Sequence, residues 1–308
     1  MTWWGILLPA EAGKELAEFN KVYPQIKVEY WRGEADEVAS KIELQFTSKR
    51  GMNDVSLGAG EINHPRWRKM GMLEKFTDVI PGVAKWDKNF YGPEGDSAVP
   101  GSNATTPQYN TKLVSPAEVP TKWEDLLHPK WKGQLGMVTD ARSWWTLALA
   151  EGSGWGVEKT LDYVKKLKAQ KPQMQKGPPQ GHALLIAGDF KIFTNNFLRH
   201  VILSQAKGAS VDWCRVNPII LSGPNIIMPM YAPHPNAARL FLEWYLSPVG
   251  LKVHEQVTGF GQVNPASGSK LSEIVKGHTF AIRTEKVIVQ AAEMDLDNKF
   301  SEIITGIR

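Results

Sequence analysis

Cysteine is almost absent: Cys214 stands alone in 308 residues, so neither an intramolecular disulfide nor a multi-cysteine metal site is available. No apolar run reaches the roughly 18 residues that a membrane-spanning helix needs. Runs of Lys and Arg are short and the formal net charge is only +4, so nucleic-acid binding through a basic patch has no support. The N-terminus has no positive segment followed by an apolar core, and no signal peptide is visible. The chain nevertheless opens almost inside a strand-like stretch, Thr2-Trp3-Trp4-Gly5-Ile6-Leu7. A mature domain with an added methionine, its export signal removed, is the expectation.

Catalytic signatures are missing too. There is no His-Glu-x-x-His pair, no phosphate loop ending in Gly-Lys-Ser/Thr, and no Gly-x-Ser-x-Gly elbow. Gly58-Ala59-Gly60 begins a dinucleotide fingerprint, but Asn63 stands where its third glycine belongs. The seven histidines are scattered without ligand spacing. Asp295-Leu296-Asp297-Asn298 lacks the central glycine and the placed glutamate of a calcium loop. A non-enzymatic protein without cofactor or metal is expected.

What is present is a globular composition, 42% hydrophobic and 22% charged, in a chain long enough for two domains or one large one. Periodicity predicts a helix over 10–20 with Leu16 and Phe19 inside, a strand over 26–30, and a helix over 34–47 with Val38, Ile42 and Phe46 on one face. A strand over 54–57 follows. That alternation is the mark of a layered α/β domain. Residues 81–101 and 171–180 read as loops, and 103–110 as extended. Further helices are expected over 157–167, 182–187, 195–206, 235–246 and 285–300, with strands over 191–194 and 225–230.

Residues 133–150 organise the rest. Leu135 to Val138 predict a short buried strand, Thr139 and Asp140 are capable N-caps, and Trp145 and Leu149 follow at helical spacing. A strand running straight into a helix leaves backbone N–H groups pointing out of the sheet's carboxyl edge, where helix dipole and unpaired donors attract anions. Arg142 and Ser143 add a cation and a hydroxyl in that first turn. On this stretch alone two readings stay open: an anion-binding end, or an ordinary capped helix with a solvated arginine.

Several phrases, in order, resemble one family. They are Tyr23-Pro24-Gln25-Ile26-Lys27-Val28, Asn53-Asp54-Val55, Tyr109-Asn110-Thr111-Lys112-Leu113-Val114 and Trp123-Glu124-Asp125-Leu126. His128-Pro129-Lys130-Trp131-Lys132-Gly133, Ala237-Ala238-Arg239-Leu240-Phe241 and Leu246-Ser247-Pro248-Val249-Gly250 complete the set. The ordered set is similar to the bacterial extracellular solute-binding proteins of ABC importers, in the branch containing ferric-ion-binding proteins.

That resemblance implies an α/β, two-lobed periplasmic-binding-protein-like fold of type II, with two hinge strands and a ligand cleft between lobes. Residues 1–103 and about 230–290 would form lobe 1, and 104–229 with about 291–308 lobe 2. The partners implied are a small anionic ligand and an ABC permease in the membrane, for a monomer located in the periplasm or outside the cell.

The two adjacent iron-binding tyrosines of the ferric branch line up with Phe197 and Leu198, preceded by Asn195 and Asn196; its acidic ligand falls near Ala59. Hard Fe3+ then lacks its oxygen donors. The anion half of the site survives in the resemblance. It comprises Asp140, Ala141, Arg142 and Ser143 at the helix start, a residue near His182, and Asn195 with Asn196. Arg142 as the clamp suits a carboxylate or phosphonate, because guanidinium offers two parallel hydrogen bonds. Leu7 with its neighbours Ile6 and Leu8, and Trp144, would supply an apolar wall, Trp144 having core packing as the competing reading. Gly58 and Ala59 would line the ligand with backbone, and Ser102 and Asn103 are further candidates on the crossover. A small organic anion, with an aromatic or apolar body, is the expected ligand.

Overall fold

The computed structural model describes residues 1–306 apart from 77, 78, 81, 84 and 85. The chain forms two compact units, Met1–Ser102 with Gly223–Lys276, and Asn103–Ser222 with Gly277–Arg308. In chain order the first unit holds β1 (Thr2–Gly5), α1 (Pro9–Val22), β2 (Glu29–Arg32), α2 (Ala35–Ser48), β3 (Val55–Leu57), α3 (His64–Lys69) and β4 (Ser97–Ala98). The second takes β5 (Asn103–Asn110), β6 (Leu135–Val138), α4 (Arg142–Leu149), α5 (Val157–Ala169), β7 (Gln173–Gln175) and α6 (Pro178–Ala187). It continues through β8 (Ile192–Phe197), α7 (Leu198–Gln205), β9 (Val211–Trp213) and β10 (Ile219–Ser222). The first unit resumes with β11 (Ile226–Ile227), α8 (Pro235–Tyr245), α9 (Pro248–Thr258) and α10 (Lys270–Ile274). The second ends with β12 (Phe280–Ile282), α11 (Glu285–Glu293) and α12 (Leu296–Thr305).

In unit 1 the sheet order is β2-β1-β3-β11-β4. β1 runs parallel to β2 and β3, and each of these strands leads directly into a helical segment. Apolar residues at helical spacing bury one face of α1 and α8 over the sheet. Trp3, Phe19, Phe241 and Tyr245 meet there in edge and tilted ring contacts. Beneath them the buried Glu15 carboxylate accepts from the Tyr245 hydroxyl at 2.9 Å and lies 2.8 Å from His254 Nδ1, which ties α1 to α8 and α9.

Unit 2 is built on a seven-stranded sheet, β12-β10-β5-β8-β6-β7, with β9 also on β5. β5 is antiparallel to β10 and β8, whereas β12, β10, β8, β6 and β7 share one direction. The carboxyl ends of those five therefore lie on one edge, beside the start of β5. The core on one side is dense in aromatics: Trp123, Trp144, Tyr163, Trp155 and Phe300.

Several expectations are corrected. Short strands β4 and β7 occupy segments read as loop, residues 81, 84 and 85 of the first lying outside the described ones. α6 begins at Pro178, since proline suits a first helical turn. Asn195 and Asn196 are not at a helix start; pairing of Thr105 with Phe197 and Thr106 with Asn196 keeps them in β8. The C-terminal helix is two helices, parted at Asp295 with φ of 53°. Residues 277–290 belong to unit 2, because β12 pairs with β10.

Candidate functional site

The β6–α4 turn is the centre of the candidate site. β6 is wholly buried, and its continuation is pinned by the Thr139 N–H donating to the Gln175 carbonyl at 3.0 Å. The half-in residue is Ala141 rather than Thr139 or Asp140. Its backbone already has helical angles, and its carbonyl accepts from the Trp144 and Trp145 N–H groups. Asp140 serves the helix from one position earlier. Its carboxylate accepts from the Arg142 backbone N–H at 2.8 Å and from Arg142 Nε at 2.8 and 3.0 Å, and pairs closely with Nη2.

The seat expected for an outside anion thus already has one carboxylate beside it, belonging to the chain. Burial pushes the Asp140 pKa up, but the Arg142 hydrogen bonds and charge, with Arg283 adding to them, outweigh it and hold the group below the usual range. The Arg142 side chain is 61% exposed. At the second helical position the Ser143 N–H precedes the first intrahelical bond.

Asn195 joins this turn from the neighbouring strand: its Oδ1 accepts from the Val138 N–H at 3.2 Å and from the Thr194 hydroxyl at 3.0 Å. Asn103 opens β5 on the same edge, opposite Ser222 of β10, and its Oδ1 is buried without a hydrogen-bond partner.

His182 and Asn196 lie together in a buried polar cluster behind β8. Asn196 Nδ2 donates to Gln108 Oε1 at 2.8 Å, and His182 contacts Gln108 through Nδ1 at 3.2 Å and Ser204 through Nε2 at 2.8 Å. Gly181 permits this approach, since a Cβ there would sit 2.2 Å from the Phe193 ring. Burial lowers the His182 pKa, and burial with the Arg199 charge brings His200 to about 3, so both rings are neutral near pH 7.

Other expected residues are elsewhere. Trp144 is fully buried and packs on Trp123 and Tyr163, so it is core and not a ligand wall: the helix turns it inward while Arg142 points out. Trp145 is core as well, its Nε1 donating to Asp297 at 3.1 Å. Leu7 is buried in the core of unit 1, leaving half-buried Ile6 and exposed Leu8 as the apolar surface after β1. Gly58 has φ of 77° and packs on Ile6; Ala59 is buried. Ser102 belongs to unit 1, bridged to Gly261.

Two cations on this edge escaped the sequence reading. Arg283 follows β12 immediately; its charge reaches Asp140, and its guanidinium lies 5.9 Å from the Trp145 ring centre. Arg199 stands in the first turn of α7, 5.9 Å from the Phe197 ring centre. The signal for Arg283 was present, as it directly precedes Thr284, the cap of a helix placed from Glu285. Among the described residues no group of three or more His, Cys, Asp or Glu side chains could hold a metal ion.

Residues 14–278 match the family model described as bacterial extracellular solute-binding protein. No curated protein sequence matches the chain. Among solved structures, iron-bound HitA from Pseudomonas aeruginosa is similar with a TM-score of 0.74 at 18% identity, covering 97% of this chain and 98% of that one. The Trichodesmium protein IdiA (FutA), in complex with iron and citrate, gives 0.78 at 16% identity over 98% of each chain. AfuA from Actinobacillus pleuropneumoniae, with fructose-6-phosphate bound, gives 0.70 at 18% identity over 99% and 98%. At such identities the likeness is one of fold, the α/β fold of type II periplasmic binding proteins.

Proposed function

The chain belongs to the bacterial extracellular solute-binding protein family, and from that premise we propose that it is the receptor of an ABC importer, carrying a small organic anion to a membrane permease. It works outside the cytoplasm and catalyses no reaction. The observation that carries this reading is Arg142: an exposed guanidinium in the first turn of α4, oriented by Asp140, on a sheet edge of the kind where open α/β folds take ligands. A carboxylate or phosphonate suits such a fork. The orphan Oδ1 of Asn103 is an acceptor for a hydroxyl or ammonium hydrogen on the same ligand. With Trp144 in the core, the reading rests on charge and no longer on an aromatic wall.

Ferric transport is the competing reading within the family. The positions that resemble the iron-binding tyrosines are Phe197 and Leu198, and neither offers an oxygen. A thermal-shift screen of carboxylates, phosphonates, organophosphates, amino acids, inorganic phosphate and ferric salts separates the two. A ligand at 100 times its Kd adds about 2.7 kcal/mol of stability. Stabilisation by an organic anion that Arg142→Ala abolishes supports the proposal. Stabilisation by ferric salts alone, unaffected by Arg142→Ala, sinks it.

A further inference from the structure

The first residue of β5 carries a polar atom that the fold leaves unused. Asn103 is 8% exposed, and its buried Oδ1 has no hydrogen-bond partner. Other amides of the same sheet accept through Oδ1: Asn110 from the Lys112 N–H at 3.0 Å, Asn195 from the Val138 N–H at 3.2 Å, Asn196 from the Phe197 N–H at 2.8 Å. A buried acceptor without a donor is destabilising, so its presence calls for a reason outside the fold.

The sheet register fixes what surrounds it. Asn103 stands opposite Ser222 of β10. Leu221 pairs with Ile282, which brings Arg283 level with Ser222, and the Arg283 N–H donates to the Leu221 carbonyl at 2.8 Å. Residues two apart on a strand share a face. Two positions inward of this row are Thr105, Ile220 and Ala281, and the last two belong to the core that also takes up Trp144 and Trp145. The row Asn103, Ser222, Arg283 therefore lies on the α4 face of the sheet, at its open edge. The Arg283 guanidinium is 5.9 Å from the Trp145 ring centre and its charge is felt at Asp140, which sets the row beside the turn that holds Arg142.

This row offers a neutral amide oxygen and a hydroxyl, and no carboxylate. An ammonium group brought to a buried amide oxygen without a counter-charge costs more in desolvation than one hydrogen bond returns. A hydroxyl is matched on both counts: its hydrogen goes to Asn103 Oδ1, and its oxygen accepts from Ser222. Resting on the reading of this edge as the ligand's seat, we propose that the ligand is a hydroxylated organic anion, a hydroxy acid or a phosphate ester of a polyol. Its anionic group is held at Arg142, and its hydroxyl is read by Asn103 and Ser222. Asn103 sets the specificity, because an analogue lacking the hydroxyl leaves the acceptor unpaired, and a site built for a hydroxyl rejects such an analogue strongly.

The test is calorimetric titration with two matched triples. The first is succinate, malate and aspartate; the second is propyl phosphate, 2-hydroxyethyl phosphate and phosphoethanolamine. Within each, one position changes from an apolar group to hydroxyl to ammonium. The hydroxyl member of at least one triple is expected to bind at least about tenfold tighter than both others. Asn103→Leu, apolar and of similar size, is expected to erase that preference. Asn103→Asp, which keeps the shape of the side chain, is expected to move it to the ammonium member, a change that a purely structural role of Asn103 would not produce. Equal affinities across both triples, a preference for ammonium in the native protein, or a hydroxyl preference that Asn103→Leu retains overturns the hydroxyl assignment and leaves the Arg142 seat standing. Should all six compounds fail, a stabilising anion of the wider screen that has no hydroxyl overturns it equally, and a hydroxylated one whose effect Asn103→Leu abolishes supports it. No stabilisation by any organic anion overturns the seat and the hydroxyl assignment together.

Discussion

The two units use the same device, parallel strands running into helices, and fill its open end in opposite ways. After β1, β2 and β3 the chain supplies its own carboxylates and an apolar lip of Ile6 and Leu8. After β6, β7, β8 and β12 it supplies Arg142, Lys176, Arg199 and Arg283. The first edge is finished by its own residues and is stable by the ordinary rules for helix ends. The second sets cations at helix starts, where the dipole itself gives them no help. Function is best sought where a protein departs from the rule that its other half obeys.

The comparison can be broken first at its scaffold. Trp144→Ala removes an indole from the centre of the unit 2 core, in the same first turn of α4 as Arg142, and should cost about 3–5 kcal/mol in chemical denaturation. Arg142→Ala, two residues away and exposed, should leave stability within about 0.5 kcal/mol while removing anion-induced stabilisation. Should the two substitutions cost the same, the division of this turn into core and site fails.

On the other edge, Gly58→Ala forces a side chain into a left-handed backbone and against Ile6 Cδ1, 2.7 Å from the new Cβ. A loss of about 1–3 kcal/mol is expected, read as a lower melting temperature. A smaller effect is expected at the start of α2, where Glu37→Gln removes a carboxylate from the first turn and should destabilise by about 0.3–1 kcal/mol. An unchanged melting temperature would show that this carboxylate adds nothing to the helix end.

The smallest expected effect is that of Asp140. Its folded-state pKa lies below the unfolded value of about 3.9, so the stability it contributes is present above that value and drains as pH falls through the folded one. Asp140→Asn should cost no more than about 1 kcal/mol at neutral pH and make acid unfolding shallower below about pH 4. An unchanged acid limb would show that the pair with Arg142 adds nothing to stability.

Much of this was legible in the sequence. Buried apolar spacing placed α1, α2, α5 and α8, and the β6 bounds agree because four buried residues stand between a turn glycine and a polar run. Short pairing-dependent strands were not legible: β7 and β12 have only three residues each and exist through their neighbours β6 and β10. The same limit hid the true setting of Asn195, whose strand conformation is imposed by β5. Arg142 was named as a candidate because one turn could be read locally, and Asn195 because the resemblance placed it beside that turn. Arg199 and Arg283 were missed because only the sheet order brings residues so distant in sequence to one edge.

The most direct measurement is a crystal structure with the most stabilising organic anion of the screen. The expected result is an anionic group within hydrogen-bonding distance of Arg142 and the first turn of α4. An anion seated away from these residues, with Arg142 contacting Asp140 alone, would contradict the assignment of the basic edge as the ligand's anchor.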